Sequence, residues 1–347
     1  MRNIIALSLF VFLVVSCQER KVNPYYKVVL SHNEEDFTKS KYFHVLLDRI
    51  KICTDNPEYL LKINAFEIEL YFEKDFDTND ISNVILKNVN LEFWHTFKNT
   101  EFGNRIYEQV NTVLSDSIYP GLISKIEDLD SNTQFSEKIQ FDIFTKTSPL
   151  SAILYPFANQ DNTWEEGAVL GYAKLTDTAL INEYFRANNV KNNIPKNLKL
   201  MWEFKSTIQS EEGISLLNLY LGKNTKSGIP LLSSSDIVYA KQGFNYENNE
   251  PYLSLSFTKA AALFWADITE QSMVNGTAIA ICLNEKVISA PIAAARIEGG
   301  KTQITGGLFG NQDDADEIKT LASLLNVGNL PKSFELKSID IIYQNGK

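Results

Sequence analysis

The chain has 347 residues, 33 basic and 43 acidic side chains, a formal charge of −10 and 44% apolar residues. Its length suits two domains, or one domain with a large insertion, and its apolar content supports a sizeable core, which excludes wholesale disorder. The acidic balance, with no basic stripe, excludes a nucleic-acid partner, and three scattered Cys and three scattered His make neither a disulfide framework nor a zinc site.

The first element is an address label. Arg2 supplies a positive start, and Ile4 to Val15 form a nearly unbroken apolar run. About twelve residues span only about 18 Å, short of a bilayer core of roughly 30 Å, so residues 1–16 read as a secretory signal peptide. Val14-Val15-Ser16-Cys17 resembles a bacterial lipobox, which implies cleavage before Cys17 and diacylglycerol on its sulfur. An ordinary signal peptide with an incidental Cys is the alternative. Residues 17–40 then read as an acylated tether, and no later stretch is apolar enough to span a membrane. Cys53 and Cys282 sit in apolar runs and read as buried free thiols, with a disulfide between them left open.

Apolar spacing predicts a helix over 42–52, and alternation at Phe66, Ile68, Leu70 and Phe72 predicts a half-buried strand. A helix over 80–86, a strand from Val89 to Phe97 and a helix over 101–115 follow. The polar stretch 117–137 reads as a long loop. Strands are expected at 152–156, 168–175, 198–204 and 214–221, with Asp177 as N-cap of a helix running through Phe185. The last hundred residues read as a strand at 253–257, a helix over 259–274 with Ala261, Phe264, Trp265 and Ile268 inward, and a hairpin at 277–290 turning at Asn284-Glu285. A short strand at 302–305, a helix over 312–327 stopped by Gly328 and a strand at 334–343 complete the chain. This βαββαβ order predicts an α+β fold with ferredoxin-like units.

Three motifs in this region belong together: Ser289-Ala290-Pro291, Gly299-Gly300 leading to Ile304-Thr305-Gly306, and Gly328 with Leu330-Pro331. In this order and spacing they resemble the periplasmic P1 region of SecD, the protein-export membrane subunit. Leu91-Glu92-Phe93, Leu154-Tyr155-Pro156 and Gly171-Tyr172 extend the resemblance to residues 42–335, strongest over 236–333. It implies a P1-base-like part at 41–147, a P1-head-like part at 148–335, and a C-terminal strand and tail at 336–347. Two features depart from the family: Asn284-Glu285 stands where an Asp-Gly turn is usual, and the Asp-Leu-x-Gly-Gly motif is missing. The chain stops at Lys347, where SecD continues into the helices that conduct protons, so a proton-driven motor is not expected of it.

Chemistry-bearing patterns are weak. The glycines at 299, 300, 306, 307 and 310 fit no phosphate-binding template and read as turn glycines. Ser289 lies outside any nucleophile elbow, His95 reads as a half-buried strand residue, and the acidic run at 312–317 suits a helix N-terminus, not a calcium loop. No catalytic, metal or cofactor residue is assigned, and no enzyme activity is expected. Phe157, Trp164, Phe244 and Tyr246, in loop contexts, form a candidate contact surface for an unfolded polypeptide. The resemblance implies a lipid-anchored envelope protein facing the periplasm or exterior, a non-catalytic accessory in Sec-type export. Translocating polypeptides and the translocon would be its partners. The alternative is an envelope binding lipoprotein that reuses the fold for another ligand or a structural role.

Overall fold

The computed structural model describes residues 26–342, apart from 35, 55–59, 65, 74–75, 128–135, 160, 162, 207, 211–212, 248 and 306–313. The signal peptide, Cys17, Gly306, Gly307, Gly310 and the start of the acidic run lie outside the described residues. In chain order the elements are β1 (Tyr26–Ser31), α1 (Lys41–Cys53), β2 (Leu60–Ile63), β3 (Glu67–Phe72), a π-helical turn (Ile81–Ile85), β4 (Leu91–His95), α2 (Asn99–Ile118), α3 (Leu122–Glu127) and α4 (Glu137–Thr147). Then come β5 (Tyr155–Pro156), β6 (Val169–Lys174), α5 (Thr178–Arg186), α6 (Asn188–Lys191), β7 (Leu198–Trp202), β8 (Ile208–Gln209), β9 (Ser215–Lys223) and β10 (Leu232–Ser233). The last are β11 (Ile237–Asn245), β12 (Glu250–Phe257), α7 (Lys259–Asn275), β13 (Ile279–Leu283), β14 (Lys286–Ser289), β15 (Lys301–Ile304), α8 (Asp314–Val327) and β16 (Glu335–Ile341). Helices and mostly antiparallel strands make an α+β fold, as expected.

The described residues form two compact units, residues 26–89 with 316–342 and residues 90–315. The first is built from both ends of the chain. Its sheet runs in the order β16-β1-β3-β2, every pair antiparallel. With α1 after β1 and α8 before β16, this is the split βαβ arrangement, interrupted between β3 and α8 by residues 90–315. Alternation buries Val28 and Leu30 of β1 and Ile68 and Leu70 of β3, and these pack with Leu46 and Ile50 of α1.

One buried charge organises this unit. Arg49 of α1 is fully buried, and its guanidinium faces backbone carbonyls. It donates to the carbonyls of Val84, Ile85 and Lys87 at 3.0, 3.0 and 2.5 Å, and to that of Gly328 at 3.0 and 2.6 Å. Asn329 Oδ1 accepts another bond from it at 3.1 Å, and the Asn329 amide bridges the Val89 N–H and carbonyl. The planar fork of Arg thus closes the π-helical turn and the C-terminus of α8, where carbonyls have no partner within the helix.

The second unit carries its own cores. The sheet β5-β6-β9-β7 packs on α2, α5 and α6 through Ile106, Val110, Leu170, Ile181, Leu219 and Leu221, among others. A second sheet, β10-β4-β13-β14, is covered on both faces, so all five residues of β13 are buried. Phe93 of β4 meets Phe257 and Trp265 edge-on at 5.6 and 5.2 Å, while Trp94 packs beside Met201 and Cys282. The β13–β14 turn places Asn284 and Glu285 at φ 48° and 70°. Two consecutive positive φ values are what a two-residue hairpin needs, so the Asn-Glu pair holds the geometry usual for Asp-Gly. The third sheet is β11-β12-β15.

Several expectations are corrected. The six elements from 253 to 343 do not form one sheet: β12 pairs β11 and β15, β13 pairs β4 and β14, and β16 pairs β1. Periodicity shows which residues face inward, but not which strand lies alongside. The presumed tether contains β1, an inner strand of its sheet. The stretch 117–137 holds the end of α2, α3 and the start of α4 in place of a loop. Residues 151–153 are turns, and only Tyr155–Pro156 is strand. Asp177 stands at the N-cap position of α5 in a helical conformation, without a side-chain cap bond. Phe264 points outward, because α7 buries Ala261, Trp265, Ala266, Ile268, Thr269 and Ser272 instead. The compact units divide the chain at 89/90 and 315/316.

Two predictions follow from the first unit. Arg49→Leu keeps the bulk but orphans carbonyls at two helix ends, and should lower unfolding stability by about 2–4 kcal/mol; a urea midpoint equal to wild type would refute the clasp. His32 is buried between the Phe37 and Phe334 rings, its Nδ1 accepting from the Glu34 N–H at 3.2 Å and its Nε2 unpartnered. Burial holds its pKa below the ordinary 6.5, so folding favours the neutral ring. Its contribution is complete above about pH 6.5 and is lost as pH falls toward the lowered folded value. Urea midpoints measured down to about pH 5 should fall less steeply in His32→Phe than in wild type; identical slopes would contradict this.

Candidate functional site

The motif residues have conformational tasks. Ser289 ends β14 opposite Ile281, and the Pro291 carbonyl accepts from Ile279 N–H at 2.8 Å. The chain that follows is strapped to α7. Ala293 N–H donates to Ser272 Oγ, and Ile297 N–H to Thr269 Oγ1, both at 2.9 Å. Arg296 adds exposed ion pairs to Asp267 and Glu270 of α7. Gly299 and Gly300 turn the chain at φ 77° and 64°, and Gly300 lies against Ala262 so closely that a Cβ would collide with the Ala262 Cβ. The Gly300 carbonyl accepts from Phe257 N–H, after which β15 pairs with β12 and buries Ile304. Thr305 is exposed beyond the strand. In the first unit Gly328, at φ 90°, ends α8, with Leu330 buried and Pro331 half-buried after it.

The four aromatic candidates fall in two places. Phe157 and Trp164 are half-buried in one irregular hairpin, joined by the Ala158–Trp164 bridge and by the Glu165 N–H bond to the Phe157 carbonyl. Trp164 packs on Tyr107 at 5.4 Å and lies over Gly103, so its ring serves the core. Phe244 and Tyr246 do lie open, edge to face at 5.2 Å, with Tyr246 88% exposed.

Those two belong to a larger feature. β11 is an outer strand of its sheet, paired along β12 from Ile237 to Asn245. A register irregularity at Val238 leaves Val238 and Tyr239 consecutively exposed, as a bulge does. Gly243 sits opposite Tyr252, whose ring occupies the space a Cβ would need. Val238, Tyr239, Phe244 and Tyr246 thus string exposed apolar groups along one strand and its following turn. The sequence reading missed the first two, although Ile237-Val238-Tyr239 is a run of strong strand formers.

Reactive groups are muted. Burial pushes the thiols of Cys53 and Cys282 up to about 12, so both are protonated, inert and free at neutral pH. Burial, with Lys223 adding to it, holds His95 below its ordinary value. Among the described residues no group of three or more His, Cys, Asp or Glu could hold a metal, and no helix is long and apolar enough to cross a membrane.

Residues 221–332 match the family model of the SecDF P1 head subdomain. The protein translocase subunit SecD of Rhodothermus marinus is 28% identical over 189 residues, 54% of this chain and 27% of the relative. That of Acidaminococcus fermentans is 31% identical over 140 residues, 40% of this chain and 32% of the relative. The chain therefore spans about a third or less of the length of these relatives. A solved structure described as "Structure and function of a membrane component SecDF that enhances protein export" aligns over 91% of this chain and 100% of its own, at 19% identity and a TM-score of 0.42. The chain carries a SecD-like P1 region, its head match containing β11 and all three motifs.

Gly300→Ala should cost about 2–4 kcal/mol, since it joins a positive φ to a collision with α7. Thermal unfolding checks this, and an unchanged Tm would show that the turn and α7 do not meet as described.

Proposed function

We propose that the protein is a lipid-anchored, extracytoplasmic accessory of Sec-type protein export that binds extended, unfolded polypeptide segments along β11 and catalyses no reaction. The observation that carries this reading is the outer strand itself, with Val238 61% exposed, Tyr239 53% and Tyr246 88%. An outer strand flanked by apolar side chains suits an extended segment, which gains main-chain hydrogen bonds along the strand and apolar contacts beside it. Residues 241–245 offer the stretch for such pairing, and the edge-to-face Phe244–Tyr246 pair adds a rigid aromatic contact at its end.

The likeness to protein translocase subunits named SecD supports export as the setting and the Sec translocon as the associated machinery. The lipid anchor rests on the lipobox-like sequence ending at Cys17, and an envelope location follows from it. Trp164 is left aside as a contact residue here, because its ring packs on Tyr107 of α2.

Fluorescence anisotropy with a labelled, unfolded apolar peptide tests the reading. The variant Val238→Ser, Tyr239→Ser, Phe244→Ser and Tyr246→Ser alters only half-open or open positions and should weaken binding by about tenfold or more. Equal affinity in a variant that unfolds at the wild-type temperature would sink it.

A further inference from the structure

A cleft of about 500 Å³ opens in the second unit, where α5, α6 and the turn after them meet β7. Its volume lies in the range of small-ligand sites. Three cations line it, Arg186, Lys191 and Lys196, and no acidic side chain does. All three are exposed, and none is in an ion pair among the described residues. That is unusual in a chain of formal charge −10, where carboxylates outnumber basic groups. Between the cations the lining is apolar, with Phe185, Leu198 and Leu200. Asn182 adds a polar wall. Its Oδ1 accepts from the Trp202 indole N–H at 3.1 Å, which turns its amide donors toward any further partner.

We infer that this cleft binds an anionic amphiphile, a phosphate or carboxylate head group on a short alkyl chain. The cations and the Asn182 amide supply only donors, which matches a group that only accepts. The apolar lining gives the attached chain a place out of water, and a bare anion would leave that surface wet. A polar neutral ligand would leave the three positive charges unmatched and the apolar lining wet. The same chemistry is offered by a free amphiphile and by the head group of an acidic lipid. This inference does not depend on the polypeptide reading, which uses other residues on another sheet.

The test uses the full-length protein labelled with 5-fluorotryptophan, so that the four indoles can be followed separately by fluorine resonance. Decyl phosphate, added as monomer, should bind saturably and shift the Trp202 resonance through Asn182. Decyl glucoside, with the same chain and no charge, should not. The variant Arg186→Gln, Lys191→Gln and Lys196→Gln should bind decyl phosphate about tenfold or more weakly. A control variant, Lys226→Gln, Lys286→Gln and Lys301→Gln, removes as much charge elsewhere and should bind as wild type does. Flotation with phosphatidylglycerol vesicles, against phosphatidylcholine vesicles, distinguishes a lipid source from a free one. Capture by acidic vesicles that is lost only in the cleft variant supports the site and identifies the bilayer as its source. The inference is overturned if neither probe binds below about 1 mM, if both triple variants lose binding equally, or if Trp202 stays silent while binding occurs.

Discussion

A single buried guanidinium holds the first unit together. Among the described residues no carboxylate stands beside Arg49; what surrounds it is a ring of backbone carbonyls from the π-helical turn and from Gly328, with Asn329 completing the set. Burial lowers its pKa to about 10, yet leaves it charged at neutral pH. Desolvating a charge is costly, so such an arrangement is stable only when nearly every donor is used. Five N–H groups in a fixed plane meet that condition, and the ammonium of a Lys could not. The constraint is also topological. The unit's sheet needs β1 and β3 from one end of the chain and β16 from the other, and Arg49 bonds segments from both sides of the inserted residues 90–315.

Much of the local structure was legible in the sequence, and most of the pairing was not. The helical spacing of 42–52 and the alternation at Ile68, Leu70 and Phe72 reported true elements, because each of these faces one core. β1 escaped notice because Tyr26-Lys27-Val28-Val29-Leu30-Ser31 is short and lies in what looked like a tether. α4 escaped because none of its residues is buried, so its sequence carries no clear apolar face. α7 misled in the opposite sense: its inner face is partly small and polar, with Ala261, Thr269 and Ser272, and the conspicuous Phe264 is left outside. A split βαβ order is found, but in the first unit, whose members come from both ends of the chain, and sequence order alone does not show such an insertion.

The candidate site divided along the same line. Ser289, Gly300 and Gly328 were recognisable because turns and close approaches demand particular residues, and their tasks are conformational. They report the fold more than the function. The exposed strand β11 is specified by nothing so strict, since an apolar residue left in water looks in sequence like one meant for a core. Exposure had to come from the structure, which leaves Val238, Tyr239, Phe244 and Tyr246 open and packs Trp164 against a core.

Whether β11 meets extended polypeptide in the cell is the central claim. Photo-crosslinking from benzoyl-phenylalanine placed at Phe244, at Tyr246 and along 289–305, with mass spectrometry of the adducts, tests it most directly. The account predicts unfolded secretory precursors and Sec channel subunits among the products, strongest from the probes at Phe244 and Tyr246. Adducts to folded envelope proteins alone, or none from β11, would contradict it.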